Sequence, residues 1–553
     1  MKIKRPRLQV TRPESTFAAG NARWTNLDLD PVPKHQRNWG SISFIAYWIS
    51  DAFNVSTWQF ASSILAVGLN YKDALVIVAV AFFIISTVIA ANGAVGAIYH
   101  VPFPVIARAS WGFYGSYIAI LSRLVLAVVW FAIHNVNGGN AVRVMIGAIW
   151  PSFLRVENGI PAGQGITTQG MVGYTIYWIV QLPLLCVRPE KVRWLFVVKS
   201  VLVPVAWIAI LIWAFVAEGG GSMFQESPSS TTMSGSTYSW LFLANMTSIL
   251  GNYATTSVNQ SDFSRYSRVS ARWQLLYVPM LPIVFTFISF IGIAASSAGQ
   301  ARYYGGTGDV PWDPTVLISN WSSRACRFFA AASFVLASLG VNISANSISA
   351  ANDLAALAPR FFNIRRGQLL CAVLSWCLVP WKILESAESF LNFMSAYAIF
   401  LAPVAAIMLC DYWVVKQRKY DTLALYQPFN QTYRYSFARV IYGKEVSVWG
   451  VNWRAIAAFL AGVVPSLPGL IHSVNSSVEV GVGIHPYQFG WFLGFVGASG
   501  VYVGLSWWFP ARETVVQRAV LADEIYEGRA LTGLGIEEVE AEAERDKYKE
   551  FKV

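Results

Sequence analysis

The sequence predicts an all-α protein that crosses a membrane about twelve times. Of its 553 residues, 55% are hydrophobic and 13% are charged, whereas soluble domains carry about 25% charged residues. The mean hydropathy is +0.46. About twelve apolar stretches of roughly 20 residues follow one another along the chain, each long enough to cross the ~30 Å hydrocarbon core of a bilayer. A soluble globular protein is therefore excluded.

We number these stretches as spans 1 to 12 in chain order. Their centres lie near Ala52, Ala81, Val129, Ile179, Ala206, Ile249, Phe287, Leu336, Leu374, Phe400, Leu460 and Phe495. The basic N-terminus is not followed by the apolar segment of a signal peptide, so we expect span 1 to direct insertion. The loops 219–238 and 473–486 contain no Lys or Arg, which favours an even number of spans with both termini cytoplasmic. The net charge of +11 comes from basic inside loops, and no nucleic-acid partner is expected.

Polar side chains interrupt span 1, residues 41–69, near its middle. Six of them lie within ten residues: Ser50, Asp51, Asn54, Ser56, Thr57 and Gln59. Ser, Asp and Asn compete for backbone hydrogen bonds, so we expect the helix to be broken here. A carboxylate at bilayer depth costs about 2.5 to 3.5 kcal/mol, so Asp51 is expected to face protein or water and to mark a functional site, with Gln59 as a candidate substrate ligand. The alternative is a structural contact between packed helices.

Span 6 carries a matching interruption within residues 250–266. Its small and polar members are Gly251, Asn252, Thr255, Thr256, Ser257, Asn259 and Gln260. Secondary transporters hold substrate and coupling ion near the bilayer midplane, between discontinuous helices at corresponding positions of two repeats. We therefore expect spans 6–10 to repeat spans 1–5 in inverted topology.

Span 3 contains an aromatic and an ionisable ring on one face, because Trp130 and His134 are one helical turn apart. A Trp ring can stack on a flat ligand while a His ring hydrogen-bonds the edge of that ligand. The alternative is packing, since most of the 23 Trp residues must serve as packing or interface anchors. An ionisable ring at this depth favours the functional interpretation.

Span 8 is punctuated by polar residues at helical spacing. Asn342, Asn346 and Asp353 are separated by four and seven residues, which predicts a shared face. The Asn346 amide offers two donors and an acceptor, enough for an amide-like or uracil-like edge. Asp353 has an alternative role near the cytoplasmic end of the helix, as the partner of Arg360 or Arg366.

Other function classes have less support in the sequence. The five cysteines lie in or beside apolar stretches and form no CxxC pair, so no disulfide framework, metal or cofactor is expected. A channel is expected to show a filter-like repeat, and an intramembrane enzyme a paired catalytic motif within a span. Neither is visible, so a transporter and a nutrient receptor that binds without transporting both stay open.

Several motifs occur together in a characteristic order. They are NWG at 38–40, the polar run at 51–59, HVPFPV at 100–105, Trp130, NQSDFSR at 259–265 and NSISAANDLAAL at 346–357. From about residue 38 to about residue 508 the chain resembles the fungal uracil and allantoin permease branch of nucleobase-cation symporter family 1. The resemblance implies a LeuT-like, five-plus-five inverted-repeat bundle with broken helices 1 and 6 and two extra helices. It also implies import of a heterocycle with a cation across the plasma membrane.

The resemblance assigns roles to individual residues. The stacking Trp of the family corresponds to Trp130, its edge-reading residue to His134 and its span 8 amide to Asn346. The break in span 6 is expected to place Asn252 and Tyr253 on the other side of the substrate. His134 departs from the pattern, because many members that take uracil or hydantoins carry Gln there. Uracil, uridine, allantoin, thiamine and nicotinamide riboside therefore all stay open as substrates.

The resemblance also bears on the coupling cation. Sodium-coupled relatives place a pair of hydroxyl side chains where this chain has Gly340 and Val341, which argues against a sodium site. Fungal members resemble proton symporters with acidic residues in spans 1 and 8, and the matching positions are Asp51 and Asp353. A buried carboxyl group whose pKa is raised toward neutral pH can take up and release a proton.

The resulting organisation has five parts. We expect a cytoplasmic N-terminal tail at residues 1–40, a first repeat at 41–215, a second repeat at 239–413, two extra spans at 455–509 and an acidic cytoplasmic C-terminal tail at 510–553. From residue 523 onward the tail is rich in Asp and Glu, which predicts an unpacked segment. Its Lys547 and Lys549 are candidate sites for ubiquitin attachment.

Overall fold

The computed structural model is almost entirely helical. It describes residues 24–187, 193–219, 233–306, 309–428, 432–435, 437–441, 444–448 and 450–528. Within these ranges seven helices are long and apolar enough to cross a bilayer, or eight if the bent pair Gly481–Gln488 and Gly490–Trp508 forms one span. The predicted all-α membrane fold is confirmed, whereas the number of twelve spans stays a prediction.

In the described part of the chain, seven α-helices lie between residues 41 and 218, the region predicted to form the first repeat. They are Ser41–Ala52, Val55–Ala66, Tyr71–Tyr99, Phe103–Trp111, Ser116–Ile149, Thr168–Leu185 and Arg193–Glu218. The later helices are Gly235–Asn252, Ala254–Asn259, Ser261–Ser264, Tyr277–Tyr303, Pro314–Ser319, Arg324–Val341, Ser349–Leu357, Ile364–Leu374, Ala387–Cys410, Trp453–Val463, Leu467–Val474, His485–Gln488, Gly490–Trp508 and Ala522–Tyr526. An antiparallel hairpin among the described residues, which the sequence did not predict, pairs Phe437–Ile441 with Lys444–Val448.

Span 1 is broken between Ala52 and Val55, as predicted. Asn54 adopts an extended backbone, and its side chain accepts hydrogen bonds from the backbone N–H groups of Ser56 and Thr57. This is the N-cap geometry that Asn favours at the start of a helix. The polar run therefore ends one helix and begins the next.

Span 6 is broken at Tyr253, between Gly235–Asn252 and Ala254–Asn259. The first half packs closely against span 10, because a Cβ added at Gly251 would lie 2.3 Å from the carbonyl oxygen of Met394. Only glycine fits at that contact. The predicted pair of broken helices is thus present in spans 1 and 6.

Span 8 contains an irregularity that the sequence did not predict. Between Arg324–Val341 and Ser349–Leu357, residues Asn342–Ile348 form a π-helix. In a π-helix the hydrogen bonds run from i to i+5, and such segments frequently occur at functional sites. Residues before and after the π-helix that would share a face of a regular α-helix therefore do not share a face in span 8.

The C-terminal segment packs against the N-terminal segment. Arg37 donates two hydrogen bonds, of 3.0 and 2.5 Å, to the Asp523 carboxylate. The Tyr526 hydroxyl donates to the carbonyl oxygen of Pro31 at 2.8 Å, and Ile525 is buried. The prediction of an unpacked tail is therefore wrong for residues 523–528. Lys547 and Lys549 lie outside the described residues.

Candidate functional site

A cavity lies where the two broken helices face spans 3 and 8. Six of the eight predicted site residues line it, namely Asp51, Trp130, His134, Asn252, Tyr253 and Asn346. They come from four separate spans, so only the folded bundle brings them together. The lining combines a flat aromatic ring, an imidazole, amides and a carboxylate. That combination suits a small planar polar ring, which has apolar faces and a polar edge.

The Trp130 ring is held in place at its polar edge. Its indole Nε1–H donates a 3.1 Å hydrogen bond to the Tyr397 hydroxyl. The rings of Phe390 and Phe393 meet it at steep angles, with centroids 6.3 and 6.0 Å away. Because the N–H is already bonded to protein, Trp130 offers the cavity a π-face and not a donor.

The His134 ring lies beside Trp130, with ring centroids 6.0 Å apart and planes inclined by 35°. The side chain is buried, and its Nδ1 has no hydrogen-bond partner among the described residues. Leaving a buried ring nitrogen unpaired is costly. The arrangement keeps the hydrogen-bonding capacity of this ring unused by the surrounding protein.

The acidic group of the cavity is Asp51, at the end of the first half of span 1. Its Oδ2 accepts a 2.7 Å hydrogen bond from the Tyr253 hydroxyl, which lies at the break of span 6. Its Oδ1 is buried without a partner among the described residues. Oδ2 of the carboxylate therefore bonds the broken helix of span 6, and Oδ1 is left to accept a hydrogen bond from a ligand or a proton.

Two amides complete the lining. Asn346 lies within the π-helix of span 8, and its Nδ2 donates a 3.1 Å hydrogen bond to Oδ1 of Asn342. Asn252 ends the first half of span 6, where its Nδ2 approaches the Met394 sulfur at 3.4 Å. A sulfur is a weak acceptor. Both amides therefore keep hydrogen-bonding capacity for the cavity.

The structure does not bring Gln59 or Asp353 to the cavity lining. Gln59 exchanges two amide hydrogen bonds of 2.9 Å with Asn137. Asp353 is fully buried and accepts a 2.6 Å hydrogen bond from Nε of Arg123, whose side chain does line the cavity. The partner of Asp353 is thus Arg123, and neither Arg360 nor Arg366.

A buried cation near the cavity was not singled out from the sequence. Lys199, in the span 5 helix Arg193–Glu218, is 1% exposed. A Cβ added at Gly340 would lie 2.5 Å from its Cδ and 3.2 Å from its Nζ, so the glycine makes room for the lysine. Asp51 is close enough for the two charges to attract each other. A lone Lys in a long apolar stretch is itself a sign of function, and this signal was available in the sequence.

Comparison with known proteins identifies the family to which the chain belongs. A family model described as permease for cytosine/purines, uracil, thiamine and allantoin matches residues 31–494. The uracil permease of Saccharomyces cerevisiae is 34% identical over 499 residues, covering 88% of this chain and 76% of that protein. The allantoin permease of the same yeast is 32% identical over 508 residues, covering 89% and 77%.

The fold is similar to that of a solved transporter. Mhp1, a nucleobase-cation-symport-1 family transporter with bromovinylhydantoin bound in a closed conformation, superposes with a TM-score of 0.68. The identity is 19%, over 88% of this chain and 98% of that chain, so this likeness concerns the fold. Because the family model spans most of the chain and both yeast permeases exceed 30% identity, the chain belongs to the family of permeases for cytosine and purines, uracil, thiamine and allantoin, and it is a multi-pass membrane transporter.

Proposed function

We propose that this chain imports a nucleobase or a related heterocycle, of the uracil, allantoin or uridine class, by proton symport across the plasma membrane. Both termini are cytoplasmic in this proposal. The observation that carries it is the cavity between the broken helices, where Trp130, His134 and Asn346 meet. The names of the yeast relatives support the substrate class.

The three side chains have complementary tasks in the proposal. A substrate ring stacks on Trp130, an interaction worth about 1 to 3 kcal/mol per ring. His134 and Asn346 hydrogen-bond the polar edge of that ring, because each keeps capacity that the protein does not use. Asn252 and Tyr253 cover the substrate from the break of span 6.

The coupling ion is a proton in this proposal, carried by Asp51 and Asp353. Where sodium-coupled relatives have a hydroxyl pair, this chain has Gly340 and Val341, and the ammonium group of Lys199 lies beside Gly340. A fixed positive charge repels a second cation at that place. Asp51, which lines the cavity, can change its charge by taking up a proton.

Uptake of radiolabelled uracil in a transport-deficient yeast tests the proposal. We expect accumulation above the external concentration, which a receptor without transport does not give. Allantoin, uridine, thiamine and nicotinamide riboside are added as competitors, and uptake is repeated with sodium replaced by potassium. Absence of uracil uptake, together with uptake of labelled thiamine or nicotinamide riboside but not of allantoin or uridine, contradicts the substrate class. Loss of uptake without sodium contradicts the proton assignment.

A further inference from the structure

Behind Asn346, three buried amide side chains from spans 3, 4 and 8 form a continuous chain of hydrogen bonds. Asn342 accepts from Asn346, and its own Nδ2 lies 3.0 Å from Oδ1 of Asn135 and 3.1 Å from Oε1 of Gln181. Gln181 Nε2 in turn donates to Oδ1 of Asn135 at 2.5 Å. The three side chains are essentially inaccessible to solvent.

The direction of this chain is fixed by a backbone carbonyl. Nδ2 of Asn342 lies 3.2 Å from the carbonyl oxygen of Phe131. A carbonyl oxygen only accepts, so the amide nitrogen of Asn342 must be on that side and its oxygen on the side of Asn346. Amide orientation is assigned from such networks, and here the network allows one orientation of Asn342.

A second carbonyl fixes the far end. The Ser375 hydroxyl donates to the carbonyl oxygen of Ala372 at 2.7 Å, so its oxygen is left to accept from Nδ2 of Asn135 at 3.1 Å. Oδ1 of Asn135 then accepts from Asn342 and Gln181. Turning any one of these amides by 180° would place its NH2 group against another NH2 group and its oxygen against another oxygen. Each such contact leaves buried polar groups without a hydrogen bond, which costs free energy.

The consequence reaches the cavity through Asn346. Because Oδ1 of Asn342 can only accept, the amide nitrogen of Asn346 faces Asn342, and its carbonyl oxygen is left free. We propose that Asn342 is a positioning residue that fixes the direction of the Asn346 amide, so that the site selects a ring edge whose N–H group meets Oδ1 of Asn346. This inference rests on the proposed function, because it takes Asn346 as a substrate ligand.

Pairs of pyrimidines with reversed edges provide the probe. Uracil carries an N–H group beside a carbonyl on both its N3–C4 and its N1–C2 edge. Cytosine reverses the N3–C4 edge, with a ring nitrogen acceptor beside an amino donor. Isocytosine, as its N3–H tautomer, reverses the N1–C2 edge. One of the two analogues therefore presents a mismatched edge to Asn346, whichever edge of the ring faces it.

Competition against radiolabelled uracil uptake measures this discrimination. For the wild-type protein we expect one analogue to bind at least about tenfold more weakly than uracil, since the mismatch leaves buried polar groups unpaired. In Asn342→Ala and Asn342→Ser, the Asn346 amide is free to turn. We therefore expect the ratio of affinities between uracil and the mismatched analogue, which we call the affinity gap, to shrink by about tenfold. Surface levels and thermal unfolding of each variant are measured in parallel.

Asn137→Ala is the matched control, because it removes a buried amide from span 3 and leaves Gln59 unpaired, outside the chain that ends at Asn346. We expect it to keep the wild-type affinity gap within about twofold despite a similar loss of stability. A wild-type protein that binds uracil and both analogues equally overturns the inference, and so does an undiminished affinity gap in a folded Asn342 variant. Failure to bind uracil and both analogues by a wild-type protein that takes up allantoin or uridine overturns the inference alone. Failure to take up uracil, allantoin and uridine contradicts the proposed substrate class itself, and the inference with it.

Discussion

The Tyr253 hydroxyl donates a 2.7 Å hydrogen bond to Oδ2 of Asp51 and thereby joins the breaks of spans 1 and 6. Both side chains are buried. A hydrogen bond to an ionised carboxylate is roughly twice as strong as one between neutral groups. Protonation of Asp51 therefore weakens the joint between the two broken helices, which is a direct way for a proton to act on their relative position.

We expect Asp51→Asn to bind substrate but to fail to concentrate it. The amide imitates the neutral carboxyl group permanently, so the charge no longer changes during the transport cycle. Uptake by the wild-type protein should fall as external pH rises from about 5 to 8, because fewer carboxylates are protonated outside. The variant should lose this pH dependence. Initial uptake and steady-state accumulation, each measured across that pH range, check both expectations.

Asp73 provides a matched control for this substitution. It accepts a 2.7 Å hydrogen bond from the Tyr238 hydroxyl, the same chemistry as in the Asp51 pair, away from the cavity. Asp73→Asn should keep the wild-type pH profile. If Asp51→Asn also concentrates substrate with the wild-type profile, the proton assignment of Asp51 is wrong.

Trp130→Ala should abolish measurable uptake at low substrate concentration, because the stacking surface contributes about 1 to 3 kcal/mol of affinity. Trp130→Phe should retain part of it. The control is Trp150→Ala, which removes an exposed Trp immediately after the same helix. Apparent affinity is measured together with surface level. An unchanged affinity in Trp130→Ala would show that this ring serves packing alone.

His134→Gln should change which compounds compete more than it changes the maximal rate. An amide presents a donor and an acceptor in one plane, whereas an imidazole offers one contact per nitrogen. Substrates with a paired donor and acceptor edge should therefore gain in competition. The two proteins are compared with the same panel of heterocycles, and identical profiles would remove His134 from the site.

The two breaks were predictable because their cause is local. The Asn54 side chain caps the second half of span 1 through hydrogen bonds to residues two and three positions away, and a run of capping residues is visible in the sequence. A similar polar interruption, at residues 251–260, surrounds the break at Tyr253. Trp130 in span 3 and Asn346 in span 8 could be selected because polar residues interrupt these apolar spans. Polar residues inside a membrane span cost free energy, so they indicate a functional site.

Other features depend on tertiary contacts that the sequence does not reveal. Arg123 and Asp353 are 230 residues apart, so nothing local pairs them. The π-helix Asn342–Ile348 shifts the helical faces of span 8, which is why the shared face predicted from the spacing of Asn346 and Asp353 is not found: Asn346 lines the cavity and Asp353 does not. In the same way, the break in span 1 places Gln59 in a different helix from Asp51, and Gln59 does not line the cavity.

The C-terminal region should divide into a structural part and a regulatory part. Removal of residues 529–553 should leave uptake affinity and thermal stability unaltered and should slow internalisation, because Lys547 and Lys549 are lost as ubiquitin sites. Removal of residues 523–553 should also destabilise the protein by about 1.5 to 3 kcal/mol, since it deletes the charged partner of Arg37. Surface half-life and thermal unfolding separate the two effects.

Point variants sharpen this comparison. Lys547→Arg combined with Lys549→Arg should slow internalisation as much as the shorter deletion does. Asp523→Asn should reproduce part of the stability loss of the longer deletion, because it removes the ion pair with Arg37 but keeps the Tyr526 hydrogen bond and the buried Ile525. Equal stability of the two deletions would show that the contact of residues 523–528 contributes nothing.

The buried pair of Arg123 and Asp353 allows structure and proton coupling to be separated. Removing one partner of a fully buried ion pair costs about 3 to 5 kcal/mol, whereas replacing both by apolar side chains is often neutral. We therefore expect Asp353→Leu to fold poorly and the double variant Arg123→Met, Asp353→Leu to regain thermal stability and surface expression. If Asp353 carries a proton as proposed, the double variant should equilibrate substrate without concentrating it. Wild-type accumulation by the double variant, with an unchanged pH profile, would limit Asp353 to its ion pair and leave Asp51 as the coupling carboxylate.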